Sequence, residues 1–171
     1  MLCAVLQICA EGKHTADVRA LWVANELQFS LAWQSIFLNF WSVLATYSGT
    51  VGSMMMATLG RRGFTTAANV LTAVGFYLVS LPEPWAVWVG HFIMCPAFNT
   101  NHANAIKSYA TDHATKLHGM GRGEYAAAFA NLRGLSVVLV PPIYARLYGN
   151  AQAKGLPGRS PWFLVALILH I

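Results

Sequence analysis

The side chains most able to take part in chemistry are ionisable groups that lie among apolar stretches. The densest group lies near the N-terminus and comprises Glu11, Lys13, His14, Asp17 and Arg19. If this segment is helical and buried, the group would form a proton or substrate relay; if it is a loop, the side chains are simply solvated. Lys13 and Asp17 stand four residues apart, a spacing that lets them pair on one helix face.

Arg133 is the strongest single candidate for a functional residue, because it falls in the middle of an apolar stretch. It lies about 14 Å along a helix from Glu124 at about 1.5 Å per residue. A charge at membrane depth is costly and by default indicates function. We expect Arg133 to face the interior and to pair with a polar group such as Glu124 or Asn131, either as a structural pair or as part of a transport path.

Polar residues follow another apolar stretch, at Asn101 and His102. They favour a hydrogen-bond network at a helix end over a substrate contact. His91 and His102 are also candidate ligands for a haem iron or a chlorophyll magnesium, since a neutral imidazole binds metals. The cysteines lack metal-ligand spacing, and no phosphate-binding glycine loop or nucleophile motif occurs. We therefore expect neither a metal centre nor an enzyme.

The elements that position these residues are expected to be membrane-spanning helices. Hydrophobic residues make up 56% of the 171-residue chain and charged residues 10%, whereas an average soluble domain carries about 25% charge. A helix needs about 20 apolar residues to cross a bilayer. The sequence predicts one all-α, polytopic membrane domain, residues 1–171, with five to six spans. These are 33–59, 64–81, 85–108, 124–148, 161–171 and, if helical, 1–23.

The segments between these spans indicate an orientation. Gly60, Arg61 and Arg62 close the first clear span, and residues 109–122 are predicted as a loop that, with the adjoining end of the third span, carries Lys107, Lys116 and Arg122. The bias of Lys and Arg places these two loops on the inner side of the membrane. The net charge of +5 is scattered, which argues against a nucleic-acid-binding surface. Residues 161–171 would reach about half the membrane, so we expect the last helix to be cut short.

Three motifs resemble the C-terminal half of a major facilitator superfamily transporter, of the tetracycline-efflux type of drug:proton antiporter. Leu59-Gly60-Arg61-Arg62 resembles the end of the loop motif G-x-L-A-D-R-x-G-R-R, and Pro96-Ala97-Phe98 resembles a P-A-L motif. Residues 123–148 align without gaps to the pattern G-E-L-Q-G-A-L-x-x-L-R-x-L-x-x-x-x-G-P-L-L-F-x-x-L-Y. The resemblance implies one six-helix half of the major facilitator fold.

The departures from the family pattern bear on function. The acid of the loop motif falls on Ala57, the Q-G pair is Ala126-Ala127, and the other half, against which such a transporter rocks around its substrate, is not encoded here. We therefore expect a transporter-derived scaffold or accessory subunit of a larger membrane complex, of the respiratory or photosynthetic type. The alternative is half of a proton-coupled solute or drug antiporter with a small-molecule substrate.

The accessory function implies particular partners. The chain would contact the lipid bilayer and other membrane-protein subunits, which cover its concave face, in an organelle inner membrane or a thylakoid membrane. No cofactor is required; we expect bound lipid, and chlorophyll or carotenoid if the complex is photosynthetic.

Overall fold

The computed structural model describes residues 9, 14, 16–97 and 100–155. Over this part the chain forms five α-helices and one short 3-10 helix, which follow one another in chain order: α1 (Ala16–Asn25), α2 (Leu31–Val79), α3 (Pro84–Met94), the 3-10 turn Cys95–Ala97, α4 (Thr100–His118) and α5 (Arg122–Ala153).

The predicted polytopic bundle of five to six spans is wrong. Among the described residues only α5 is long and apolar enough to cross a membrane, by length and composition. α1 and α3 contain 10 and 11 residues, so each extends only about half the hydrocarbon thickness at about 1.5 Å per residue. α4 contains 19 residues but carries Lys107, Asp112 and Lys116, which make it too polar.

The predicted spans 33–59 and 64–81 correspond to the two helical halves of α2, which meet at Gly60 without an intervening loop. α2 contains 49 residues, and its backbone leaves helical geometry at Gly60, where φ is 69° and ψ is 169°. Glycine reaches this positive φ without steric cost, so the helix kinks there. Arg61 and Arg62 therefore lie near the middle of α2, and its many hydroxyl residues dilute its apolar character further.

The predicted span 85–108 is divided into two helices. α3 begins at Pro84, whose fixed φ suits the first helical turn, and it runs into the 3-10 turn that contains Pro96. α4 then continues to His118, through most of the segment that was predicted as a loop. Thr100–His118 contains neither Gly nor Pro, so nothing stops the helix before Gly119, where φ is 63°.

The prediction of a helix over 124–148 is confirmed. α5 contains 32 residues and includes Pro141 and Pro142 in its interior. The predicted span 161–171 and most of 1–23 lie outside the described residues.

The core lies where α1, α2, α3 and the C-terminal half of α5 meet. Its largest fully buried side chains include Trp22, Val79, Val87 and Tyr144. The ring of Trp88 in α3 contacts four aromatic rings at centroid distances of 5.1 to 6.3 Å: Phe29, Trp33, Phe37 and Phe40. This aromatic packing holds α3 against the first half of α2 and so fixes the position of His91.

Candidate functional site

Arg19, like His14, is a residue of the predicted N-terminal relay whose side chain the structure places in the interior. Its side chain is only 9% exposed, and its guanidinium carbon lies 4.2 Å from the centre of the Trp41 ring. Burial lowers the pKa of Arg19 to about 10, so the group is cationic at neutral pH. An aromatic face attracts a desolvated cation by about 2 kcal/mol, which offsets part of the burial cost.

His91 lies close enough to Arg19 to be affected by its charge. The ring is 1% exposed and packs edge-on against Phe37, with the ring centroids 5.0 Å apart. Its Nδ1 lies 2.7 Å from the Val87 carbonyl oxygen, to which it donates. Burial and the positive charge of Arg19 lower the pKa of His91 to about 3, against a smaller opposing effect of the Val87 bond.

This environment sets what His91 can do chemically. The imidazole is neutral throughout the physiological pH range, so it cannot act there as a cationic relay group. The haem or chlorophyll ligand stays a prediction, and a pigment ring would have to displace Phe37. Among the described residues, no group of three or more His, Cys, Asp or Glu side chains could hold a metal ion.

A third buried polar side chain, His14, contacts α5. Its Nε2 lies 3.4 Å from Ser136 Oγ, and the Ser136 hydroxyl lies 2.8 Å from the Arg133 carbonyl oxygen, to which it donates. Since the hydroxyl has one proton, His14 Nε2–H is the donor in the bond to Ser136. We call His14, Arg19, His91 and Ser136 the buried polar cluster.

A second site lies on the surface, where the kink of α2, the middle of α4 and the start of α5 meet. An open groove of about 480 Å³ is lined there by Arg61, Asn104, Lys107, Ser108, Thr111, Asp112 and Arg122. We call it the basic groove, because three cations line it against one carboxylate. Arg61 Nη1 donates to Ser108 Oγ at 3.0 Å, which holds the guanidinium over α4.

Arg122, which lines the groove, is the first residue of α5. The cap residue Gly121 provides no side-chain hydrogen bond to the helix, and the first backbone bond is donated by Tyr125 N to Gly121 O at 2.9 Å. The N–H groups of residues 122–124 therefore have no acceptor within the helix. A helix start of this kind attracts anions.

Other predicted residues lie apart from these two sites. Arg133, Glu124 and Asn131 are all exposed on α5, so the expectation that Arg133 faces the interior is wrong for the described part of the chain. It precedes Ser136 by three residues and Val140 by seven, so it lies on the same side of α5 as these core residues but about one turn nearer the N-terminus, where the helix is more exposed. Its pairing with a polar group stays a prediction.

The structure describes the side chains of only some of the remaining predicted residues. Arg62 is exposed beside the kink at Gly60. Glu11 and Lys13 lie outside the described residues, and so do the side chains of Asp17, Asn101 and His102, whose backbone is helical. Sequence reasoning singled out neither Trp41 nor Ser136, and only packing reveals them.

The basic groove had a weak signal in the sequence. The bias of Lys and Arg assigned Arg61, Lys107 and Arg122 to the same side of the chain. That grouping agrees with their meeting in one groove, although the loops that were thought to carry them are largely helical.

The chain was compared with protein-family models, with curated proteins and with solved structures, and none of these three comparisons finds a match.

Proposed function

We propose that this chain is a membrane-anchored accessory subunit that serves as a scaffold in a larger membrane protein assembly. The observation that carries the proposal is the exposed apolar face of α5, the helix that could cross a membrane. This face is formed by Leu135, Val137, Val138, Leu139 and Ile143, each of which is at least half exposed.

Such a face is unfavourable in water. Soluble proteins rarely expose large contiguous apolar patches, and those that occur mark protein or membrane contacts. The most exposed member, Val138, is 68% exposed, although it sits well inside a 32-residue helix. Acyl chains or an apolar partner surface would remove this cost.

Arg133 favours a protein partner in addition to lipid. It is exposed, and its position two residues before Leu135 places it on the opposite side of α5 from that side chain; a guanidinium against acyl chains costs several kcal/mol. A partner subunit can place a carboxylate or a carbonyl group there. The exposed α5 surface therefore combines a lipid-compatible face with a position that suits a polar contact to another subunit.

The ancestry and the type of assembly belong to the same proposal. Derivation from a major facilitator transporter rests on the pattern over 123–148. A respiratory or photosynthetic complex in an organelle inner or thylakoid membrane is the setting that we expect. The antiporter alternative required a half with six membrane spans. Because the described residues contain a single candidate span, we do not propose it.

The proposal is tested by extraction and native electrophoresis of the full chain. The wild-type chain should stay with membranes through an alkaline carbonate wash and should migrate with a larger complex in mild detergent. Val138→Asp should weaken both, because a carboxylate on this face is costly in lipid or in an apolar interface. The matched control is Asn150→Asp, an exposed position beyond the apolar face. Release of the wild-type chain by carbonate, together with migration as a lone chain, would overturn the proposal.

A further inference from the structure

We propose that the basic groove binds a phosphate group, carried either by an anionic phospholipid headgroup or by a free phosphate. Three cations that are far apart in sequence meet there, one from each of three helices: Arg61, Lys107 and Arg122. Asp112 is the only carboxylate that lines the groove, so the lining has an excess of positive charge.

The groove offers phosphate the geometry that it prefers. A guanidinium can donate two parallel hydrogen bonds to phosphate oxygens, and Arg61 is held in place through its bond to Ser108. The guanidinium carbon of Arg61 also lies 6.0 Å from the centre of the Tyr109 ring. The Lys107 ammonium lies 5.5 Å from the Phe129 ring, which holds this charge against the N-terminal part of α5.

The helix start adds a second, independent attraction. Arg122 is both a lining residue and the first residue of α5, so the helix begins beside the groove. Glu124, exposed in that turn, is the nearest competing anion on α5. With Asp112 it makes two carboxylates against three cations and the helix dipole, so a net attraction for an anion remains.

The size of the groove favours a phosphate that belongs to a larger molecule. A volume of about 480 Å³ falls in the range of pockets for whole small molecules, about 300 to 1,000 Å³. If α5 is embedded as the proposed function requires, its N-terminus lies at headgroup depth. The lipid source therefore rests on the proposed function, whereas the phosphate site itself does not.

The test uses the full chain, purified in neutral detergent, with the variant Arg61→Gln and the control Arg146→Gln. Both variants remove one arginine charge, and Arg146 is exposed on α5 outside the groove. Native mass spectrometry measures the affinity for dioleoylphosphatidic acid and for dioleoylphosphatidylcholine, and calorimetric titration measures the affinity for inorganic phosphate. Circular dichroism checks that both variants keep the helical fold.

The expected result is affinity for phosphatidic acid that is about tenfold weaker in Arg61→Gln, the loss of one charged hydrogen bond, and unchanged in Arg146→Gln. If inorganic phosphate shows the same dependence on Arg61 and displaces the lipid, the site holds and the free anion is also a ligand. Equal losses in both variants, or equal wild-type affinity for the two lipids, would overturn the proposal. Carbonate extraction of Arg61→Gln separates the phosphate site from the membrane anchoring of the proposed function. This variant should stay with the membrane as the wild type does, because Arg61 is not part of α5. A loss of phosphate binding can therefore be distinguished from a loss of anchoring.

Discussion

Replacing Gly90 with alanine should push α3 away from α2, because the two helices touch there through their backbones. A Cβ atom at position 90 would lie 2.7 Å from the Gly75 carbonyl oxygen and 2.7 Å from Val79 Cγ2, and 3.1 Å from the Val79 backbone nitrogen. Two of these three atoms belong to the backbone of α2. No change of rotamer can move them, so the helices themselves must separate.

The magnitude follows from two opposing effects. Inserting a carbon into a packed contact costs about 1–3 kcal/mol, and the upper end applies here because backbone atoms are involved. Alanine regains about 1 kcal/mol over glycine inside a helix. The net destabilisation is about 2 kcal/mol, equivalent to a decrease in Tm of about 4–8 °C for a chain of this length.

Thermal unfolding followed by circular dichroism in mild detergent measures this change. Gly149→Ala is the matched control, since Gly149 lies inside α5 and a Cβ there would meet nothing within 4 Å; its Tm should equal or exceed that of the wild type. Gly75→Ala should also destabilise the fold, because its Cβ would lie 2.7 Å from the Gly90 carbonyl oxygen. A Gly90→Ala chain that melts at or above the wild-type temperature would refute the backbone contact.

Two further predictions concern the buried polar cluster. Lowering the pH from about 6.5 toward 3 should destabilise the fold. Over this range His91 takes up a proton in the unfolded chain, whereas the buried ring, with its pKa of about 3, stays neutral. The contribution of His91 to the free energy of unfolding is therefore complete above pH 6.5 and falls by up to about 1.4 kcal/mol per pH unit as the pH decreases. Tm measured against pH should fall less steeply in His91→Gln, and identical slopes would contradict the assignment. Ser136→Ala should cost about 1 kcal/mol by breaking the bond to His14, whereas Ser35→Ala, whose exposed hydroxyl bonds only within its own helix turn, should leave Tm unchanged. An unchanged Tm in both variants would show that the bond to His14 adds nothing to stability.

The helices could be predicted from the sequence only where composition and breakers agree. Residues 124–148 are apolar apart from a few polar positions, and α5 covers them. Residues 109–118 are polar, and polarity was interpreted as a loop, but a helix needs only the absence of breakers and an exposed face. Gly60 next to Arg61 was interpreted as a loop between spans; the helix does break there, but the change of direction takes place at one glycine with positive φ and no loop is formed.

The two sites differ in how far sequence could predict them. Shared basic residues indicated that Arg61, Lys107 and Arg122 lie on one side, so the basic groove was partly foreseeable. The contact of Arg19 with Trp41 depends on how α1 packs against α2, which periodicity does not specify. For the same reason, His91 could be recognised as a candidate, but its neutral state could not.

Two features of the described residues, the buried Arg19 and the exposed apolar face of α5, are the reverse of what water favours. A guanidinium, that of Arg19, is 9% exposed, while Val138 and Leu139 are 68% and 52% exposed. Water favours the opposite arrangement, in which the cation is exposed and hydrated and the apolar side chains are buried. An apolar environment around α5 removes the second cost and leaves the first to be met inside the molecule, by the Trp41 ring. The two features are thus offset separately: the proposed function supplies an apolar surrounding for α5, and the Trp41 ring stabilises the buried cation.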